Sequence, residues 1–354
     1  MEASIKIIEI NPKKISEELL NSFLDLLDEI HKEIHPDEDP KHSRVSRKKA
    51  LLSDKPILDY YYWLAIQQKA AGEKVIGGAL FYTANEKNPI YDENNRYAWF
   101  WLDIAKEHRR KTYGTQLLKE IVTKVNSIKN LNTLQTYSFT EAGWAFCENL
   151  NGELSLEGAQ SRLKFEEVDW ELMKKWVKEG ENKAKENKTK LLIIEKIPEE
   201  IEKQYAEFYT EILNLVPFEG LEERRIETIE SLREKEKEFK ERGIRRLTML
   251  TQEADGAISG ITEMEYYTDE PYLIEQELTG VGLKYRSRGL GKWLKAAMLL
   301  HIKENLPEVR TVNTGNADSN APMLSINHKM GFKRYLVEKC YKFNTSKLLE
   351  RIKQ

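Results

Sequence analysis

Apolar residues recur along this chain at two spacings, every second position and every third or fourth, and the stretches follow the same order twice. Residues 4–10 largely alternate, Ile5, Ile7, Ile8 and Ile10 set against Lys6 and Glu9, which predicts an opening strand. Residues 19–34 carry helical spacing. Residues 59–67 and 74–83 read as an antiparallel hairpin, and 97–104 as an aromatic-rich strand. A basic turn at 108–115 leads into a helix with Leu117, Leu118, Ile121 and Val122 on one side. Residues 134–139 predict another strand, and 143–150 a short helix ending at Gly152.

The order then restarts. Residues 177–190 lack apolar periodicity and read as an exposed linker. Residues 190–197 form a β-branched strand candidate, Pro198 and Glu199 open a helix, and 204–215 are amphipathic. The charge run of 226–243 reads as a helix with a solvated face. Residues 245–252 and 257–267 make a second hairpin, and 272–281 a further strand. After a basic glycine turn at 286–292 come a helix (293–305), a strand (309–314), a short helix beginning near Asn320, and final strands within 332–343.

Arg109 and Arg286 hold the same place in the two runs, 286 − 109 = 177 residues apart, half of the 354. A repeat that long predicts two similar domains from duplication, since a solenoid period is far shorter. The expected architecture is mixed α/β: residues 1–180, a linker at 181–189, and residues 190–354.

With 56 basic and 59 acidic residues the net charge is −3, unlike the basic excess of a nucleic-acid binder. No run of eighteen apolar residues or signal-peptide core is present, and Cys147 and Cys340 cannot form a disulfide framework. These features predict a cytoplasmic protein without membrane or nucleic-acid partners. His31 and His35 lie four apart near Asp37, Glu38 and Asp39. Their order is not H-E-x-x-H, so a polar helix end is expected and no metal.

Strand, glycine turn, helix is a geometry for holding phosphate, because the first helical amides have no internal partner and the dipole adds positive charge. A P-loop would need glycine where Arg286 stands, and Lys292 is followed by Trp293. A dinucleotide fingerprint from Gly280 would need glycine where Tyr285 stands. What remains is R-x-x-G-x-G, Arg286 to Gly291, with N-x(6)-N-x-x-x-G-F from Asn320 through Asn327 to Gly331 and Phe332.

These motifs resemble the acyl-coenzyme A loop and second half of the GNAT N-acetyltransferase superfamily over about residues 190–345, and the duplicated layout resembles mycothiol synthase in architecture. The resemblance implies two tandem GNAT domains, each a mostly antiparallel twisted sheet with splayed central strands flanked by helices. It implies acetyl-coenzyme A as acyl donor, with no metal. Residues Val281, Leu283, Arg286, Ser287, Arg288, Gly289, Leu290, Gly291, Lys292, Asn320, Met323 and Asn327 would hold it, with the oxyanion on a backbone N–H near Val281. Glu275, eleven residues before Arg286, takes the family's general-base position, and Glu277 follows on the same face of an unbulged strand. Either carboxylate instead faces solvent or pairs with Arg245 or Arg246 in the plainer reading. Many members place an acidic tyrosine where Asn327 stands, so the proton for the leaving thiolate is left to water, the nascent ammonium, Tyr335 or Tyr341.

The first copy departs from this pattern. Thr112 replaces the first loop glycine, Glu141 lies about where the second copy has Asn320, and Ala98 stands where it has Glu275. A degenerate first domain and a catalytic second are expected. The acceptor is expected to be a small-molecule primary amine shaped by residues 214–221 and 264–267, and the protein a monomer or homodimer. The alternatives are a non-catalytic acyl-coenzyme A sensor or scaffold, and a protein-lysine acetyltransferase.

Overall fold

The computed structural model describes residues 4–38, 40–69, 72–216 and 225–353. In chain order the first elements are β1 (Ile5–Ile10), α1 (Glu17–Ile34), α2 (Pro40–Leu52), β2 (Leu58–Lys69) and β3 (Gly72–Ala84). Next come α3 (Tyr91–Asn94), β4 (Tyr97–Ile104), α4 (Tyr113–Ser127), β5 (Thr133–Ser138), α5 (Glu141–Asn149) and β6 (Glu153–Lys164). Then follow α6 (Trp170–Asn187), β7 (Lys190–Ile194), α7 (Glu202–Leu215), α8 (Ile229–Arg242), β8 (Ile244–Gln252) and β9 (Ile258–Tyr267). The remainder is β10 (Leu273–Val281), α9 (Leu290–Asn305), β11 (Thr311–Ala317), α10 (Ala321–Met330), β12 (Lys333–Asn344) and α11 (Thr345–Lys353).

Two compact units result, and neither is contiguous in sequence. Of the described residues, one comprises those up to Glu157 and from Glu338 onward, and the other Gly158–Val216 and Arg225–Val337. Unit boundaries at 157/158 and 337/338 differ from those expected. Residues 181–189 are no linker, because α6 runs through them to Asn187. Asp169 caps that helix, and Met173, Trp176 and Ala184 supply a sparse buried stripe that the charge run hides. Gly180 in its middle is required by packing: a Cβ there would lie 2.2 Å from the Trp293 ring.

In unit 1, β1, β2, β3 and β4 pair antiparallel in order, β5 joins β4 parallel, and residues 339–344 of β12 pair antiparallel with β5. Helices α4 and α11 cover a core containing Phe81, Phe100, Leu117, Ile121, Tyr341 and Phe343. In unit 2, β7, β8, β9 and β10 pair antiparallel, β11 joins β10 parallel, and residues 158–164 of β6 pair antiparallel with β11. Its main core centres on α9, with Leu294, Met298 and Ile302 fully buried beside Met173 and Val312. Each sheet is mostly antiparallel and flanked by helices, the fold class the sequence implies.

The parallel pair is short in both copies. Strand β4 meets β5 only over Tyr97 to Trp99, and β10 meets β11 only over Leu273 to Glu275. Beyond those residues the central strands part. In unit 2 the parting coincides with a register shift between Gln276 and Thr279, where β10 spends one extra residue against β9. The strand is therefore bulged, contrary to the parity expected of it.

Candidate functional site

After β10, a single helical turn at Leu283–Tyr285 delivers the chain to Arg286. Ser287 (φ 65°) and Gly289 (φ 84°) both lie in the left-handed region, and α9 begins at Leu290. This backbone aims the unpaired first-turn amides of a sixteen-residue helix at the loop. The Arg286 Nε donates to the Val281 carbonyl at 3.4 Å, and among the described residues no carboxylate takes its guanidinium. A Cβ on Gly291 would meet only Ile326 and Val281 side chains, at 3.6 and 3.8 Å.

Where β10 and β11 part there is a cavity of about 370 Å³. Its wall takes Glu275, Glu277 and Thr279 from β10, Asn313 and Asn316 from β11, Tyr209 from α7, Lys295 from α9, and Asn320 with Met323 from the start of α10. Glu275 accepts from the Asn313 amide at 2.9 Å. Glu277 is pushed up to about 7, first by desolvation, then by the Glu265 charge, with Glu263 adding to it and Arg246 and Lys235 opposing. Glu277 is solvent-exposed, which screens the desolvation, and the direction that stands is upward, from the neighbouring carboxylates Glu265 and Glu263. Behind it Glu263, fully buried, accepts from the Tyr205 hydroxyl at 2.6 Å and the Tyr209 hydroxyl at 2.9 Å. Arg246 is held by Glu263 and Glu265, and Arg245 by Glu195.

Lys295 is 1% exposed, and its ammonium stands 5.3 Å from the centre of the Phe332 ring. No carboxylate among the described residues pairs with it, and burial alone pushes it down to about 7. Between pH 7 and 10.5 the unfolded chain then binds a proton that the folded chain does not, so this lysine makes stability rise with pH over that window. Lys295→Met should raise stability near pH 7 by on the order of 2–4 kcal/mol and flatten that slope, as read by thermal denaturation across pH.

The expected cofactor-binding residues have varied surroundings. Leu290 packs in the core at 5% exposure and offers only its backbone, whereas Leu283 is 58% exposed. Arg288 turns inward to Glu253 (3.1 Å) and Thr189 (2.8 Å), so its charge is largely neutralised. The Lys292 ammonium stands 5.5 Å from the centre of the Trp176 ring. Asn320 caps α10 by accepting from the Met323 amide at 3.4 Å. Asn327 is buried at 3% and donates to Asn316 at 2.6 Å, joining α10 to β11 without lining the cavity. The amide of Gly282 is committed to the Ser259 carbonyl at 3.1 Å. Tyr341 belongs to unit 1, where it donates to Glu148 at 3.0 Å, so it is not the missing acid of the second copy. Val216 borders the cavity, residues 217–221 lie outside the described residues, and Met264 is core.

In unit 1 the loop backbone is the same, Arg110 at φ 62° and Thr112 at φ 66°, and Arg109 Nε donates to the Ile104 carbonyl at 3.0 Å. The electrostatics differ. Both terminal nitrogens of Arg109 bind Glu33, whose carboxyl is held below its usual range chiefly by that bond. Asp103 beside them is raised to about 6 by burial. Ala98 and Phe100 occupy the positions of Glu275 and Glu277 (98 + 177 and 100 + 177), and both are core. Thr140, one residue before Glu141, is the helix cap matching Asn320, and Glu141 is exposed in the first turn.

A model of the acetyltransferase (GNAT) family matches residues 20–151. No curated protein sequence matches. A tandem GNAT protein from the clavulanic acid biosynthesis pathway, solved without acetyl-coenzyme A, is 19% identical with a TM-score of 0.75, over 97% of this chain and 99% of that one. A GCN5-related N-acetyltransferase from Sphaerobacter thermophilus is 12% identical with a TM-score of 0.64, over 96% of each chain. The glucosamine N-acetyltransferase region of a fungal multi-domain β-N-acetylglucosaminidase is 10% identical, TM-score 0.66, over 97% of this chain and 38% of that one. Family model and fold together support acyl-coenzyme A-dependent acetyltransferase activity. The sequence match falls on the copy whose loop arginine is neutralised, so likeness to the family and retained chemistry need not coincide in one copy.

Proposed function

We propose that this chain is a tandem-domain member of the GNAT N-acetyltransferase superfamily and that its second copy moves an acetyl group from acetyl-coenzyme A to a small primary amine. The observation that carries this reading is the cavity where β10 and β11 part, with the carboxyls of Glu275 and Glu277 on its wall. The loop amides around Gly289 and Gly291, with Arg286, suit the diphosphate of the donor, and the opening between the strands suits its thioester arm. Glu275 and Glu277 on the wall favour entry of a cationic ammonium. An alkyl ammonium has a pKa of roughly 10, so attack requires that a base remove its proton. A carboxylate titrating near the working pH does that well. The free amine then adds to the thioester carbonyl, the C–S bond breaks, and the amide and the thiol leave. Of the two carboxyls named from sequence spacing, Glu275 and Glu277, this reading takes Glu277 as the base, since Glu275 accepts from Asn313.

A cavity of about 370 Å³ suits a metabolite-sized acceptor. The test is thiol release by the full chain from acetyl-coenzyme A across a panel of small amines, amino sugars and a lysine peptide. Stimulation by one or more of the small amines is expected. Binding of the thioester with no release above the amine-free rate would leave the sensor reading instead.

A further inference from the structure

The reaction above leaves a thiolate, and the tyrosine position that many relatives use for its proton holds a buried asparagine here. We propose that Lys295 is the general acid that protonates the departing thiolate. The inference rests on the proposed acetyl transfer in the second copy. Lys295 lies four residues, about one turn, beyond Gly291 on α9, so it projects from the same helix face as that glycine, towards the parted strands. It lines the cavity together with Glu275, Glu277, Thr314 and Asn320. Its charge is buried with no counter-ion among the described residues, an arrangement that costs stability and that a structural role does not require. An anion formed at the sulfur would supply the missing partner.

Two protons leave the nitrogen. The incoming ammonium gives the first to Glu277, the nitrogen bonds to the carbonyl carbon, the C–S electrons go to sulfur, and the second passes from the adduct nitrogen to solvent through the cavity. Lys295 then delivers a proton to sulfur and is left as a neutral amine. Exchange with Glu277, through solvent in the shared cavity, returns it to the ammonium. The ionisable groups facing it around the cavity are Tyr209 from α7, Arg225, and Glu275 with Glu277 from β10. Burial, with the Phe332 ring alongside, sets its titration near neutrality, where it can both give and regain a proton.

The test uses full-length protein and Lys295→Met, which keeps the length and removes the charge. The ultraviolet absorbance of the thiolate of bound coenzyme A is titrated in each. In the wild type the bound thiol should ionise at least about one pH unit below free coenzyme A, and in Lys295→Met this should be lost while coenzyme A still binds. Thiol release should fall by about 100-fold in the variant, with the donor KM changed by less than about threefold. Equal titrations in the two proteins, or an unchanged turnover, overturn the proposal. So does acetylation of Lys295 itself on incubation with acetyl-coenzyme A alone, read by intact mass. Failure of the wild type to bind coenzyme A at all would instead bring down the acetyl-transfer reading on which the proposal stands.

Discussion

Glu277→Gln lowers turnover by about 10²–10⁴-fold while leaving coenzyme A affinity almost unchanged, if this carboxylate is the base. The amide keeps the shape and some of the hydrogen bonding of the acid but cannot accept a proton from the ammonium. The pH profile carries the sharper information. Because the folded-state pKa is raised to about 7, Glu277 holds its proton below that value, and wild-type kcat/KM should climb as pH rises through it. The variant should lose that acid limb. The same shift means that Glu277 withdraws stability as pH rises from about 4.5 to about 7, and the glutamine variant should not show that slope. Glu275→Gln is the control: its carboxylate already accepts from Asn313 at 2.9 Å, and its loss should cost less. An acid limb that survives in Glu277→Gln and vanishes in Glu275→Gln returns the role to Glu275.

Gly289→Thr is expected to weaken coenzyme A binding by about 10–100-fold, the loss of one or more charge-assisted backbone bonds to the diphosphate. Nothing but the Lys183 ammonium, at 3.7 Å, would meet the new Cβ, so crowding by protein is not the cause. The cause is backbone geometry and approach. At φ 84° a β-branched residue costs about 1–2 kcal/mol, and its side chain stands where the anion must come close to the amides. Thr112 already occupies the matching place at φ 66° in unit 1, so the fold accommodates the residue and the effect should be read in calorimetric affinity more than in melting temperature. Wild-type affinity in Gly289→Thr would mean that the diphosphate sits elsewhere.

Much of the site could be read from spacing alone, because the loop, its glycines and the two glutamates are local in sequence. The repeat was legible for the same reason, since Arg109 and Arg286 each close an identical strand, turn and helix. What escaped depends on distant partners. The inward turn of Arg288 needs Thr189 and Glu253, and the neutralisation of Arg109 needs Glu33, 76 residues away in the chain. The bulge in β10 reflects its fit to β9, which no single strand announces. Strand β6 went unread because its alternation is weak and is interrupted by Gly158, which the Asn316 carbonyl approaches to 2.6 Å of a would-be Cβ. Lys295 did leave a signal: a single lysine inside Leu294 to Leu299, otherwise apolar and wholly buried.

The interleaved ownership of the chain reaches into how the protein can be made. The first 157 residues lack Tyr341, Phe343 and Leu348, three of the side chains around which their own interior closes. While a ribosome is still translating the middle of the message, the early half carries β5 with an open hydrogen-bonding edge and an unfilled apolar pocket. It must wait nearly two hundred codons for the strand that seals them. Expressing the halves as separate genes, split at the midpoint, should therefore yield an insoluble front piece that co-expression with the back piece rescues.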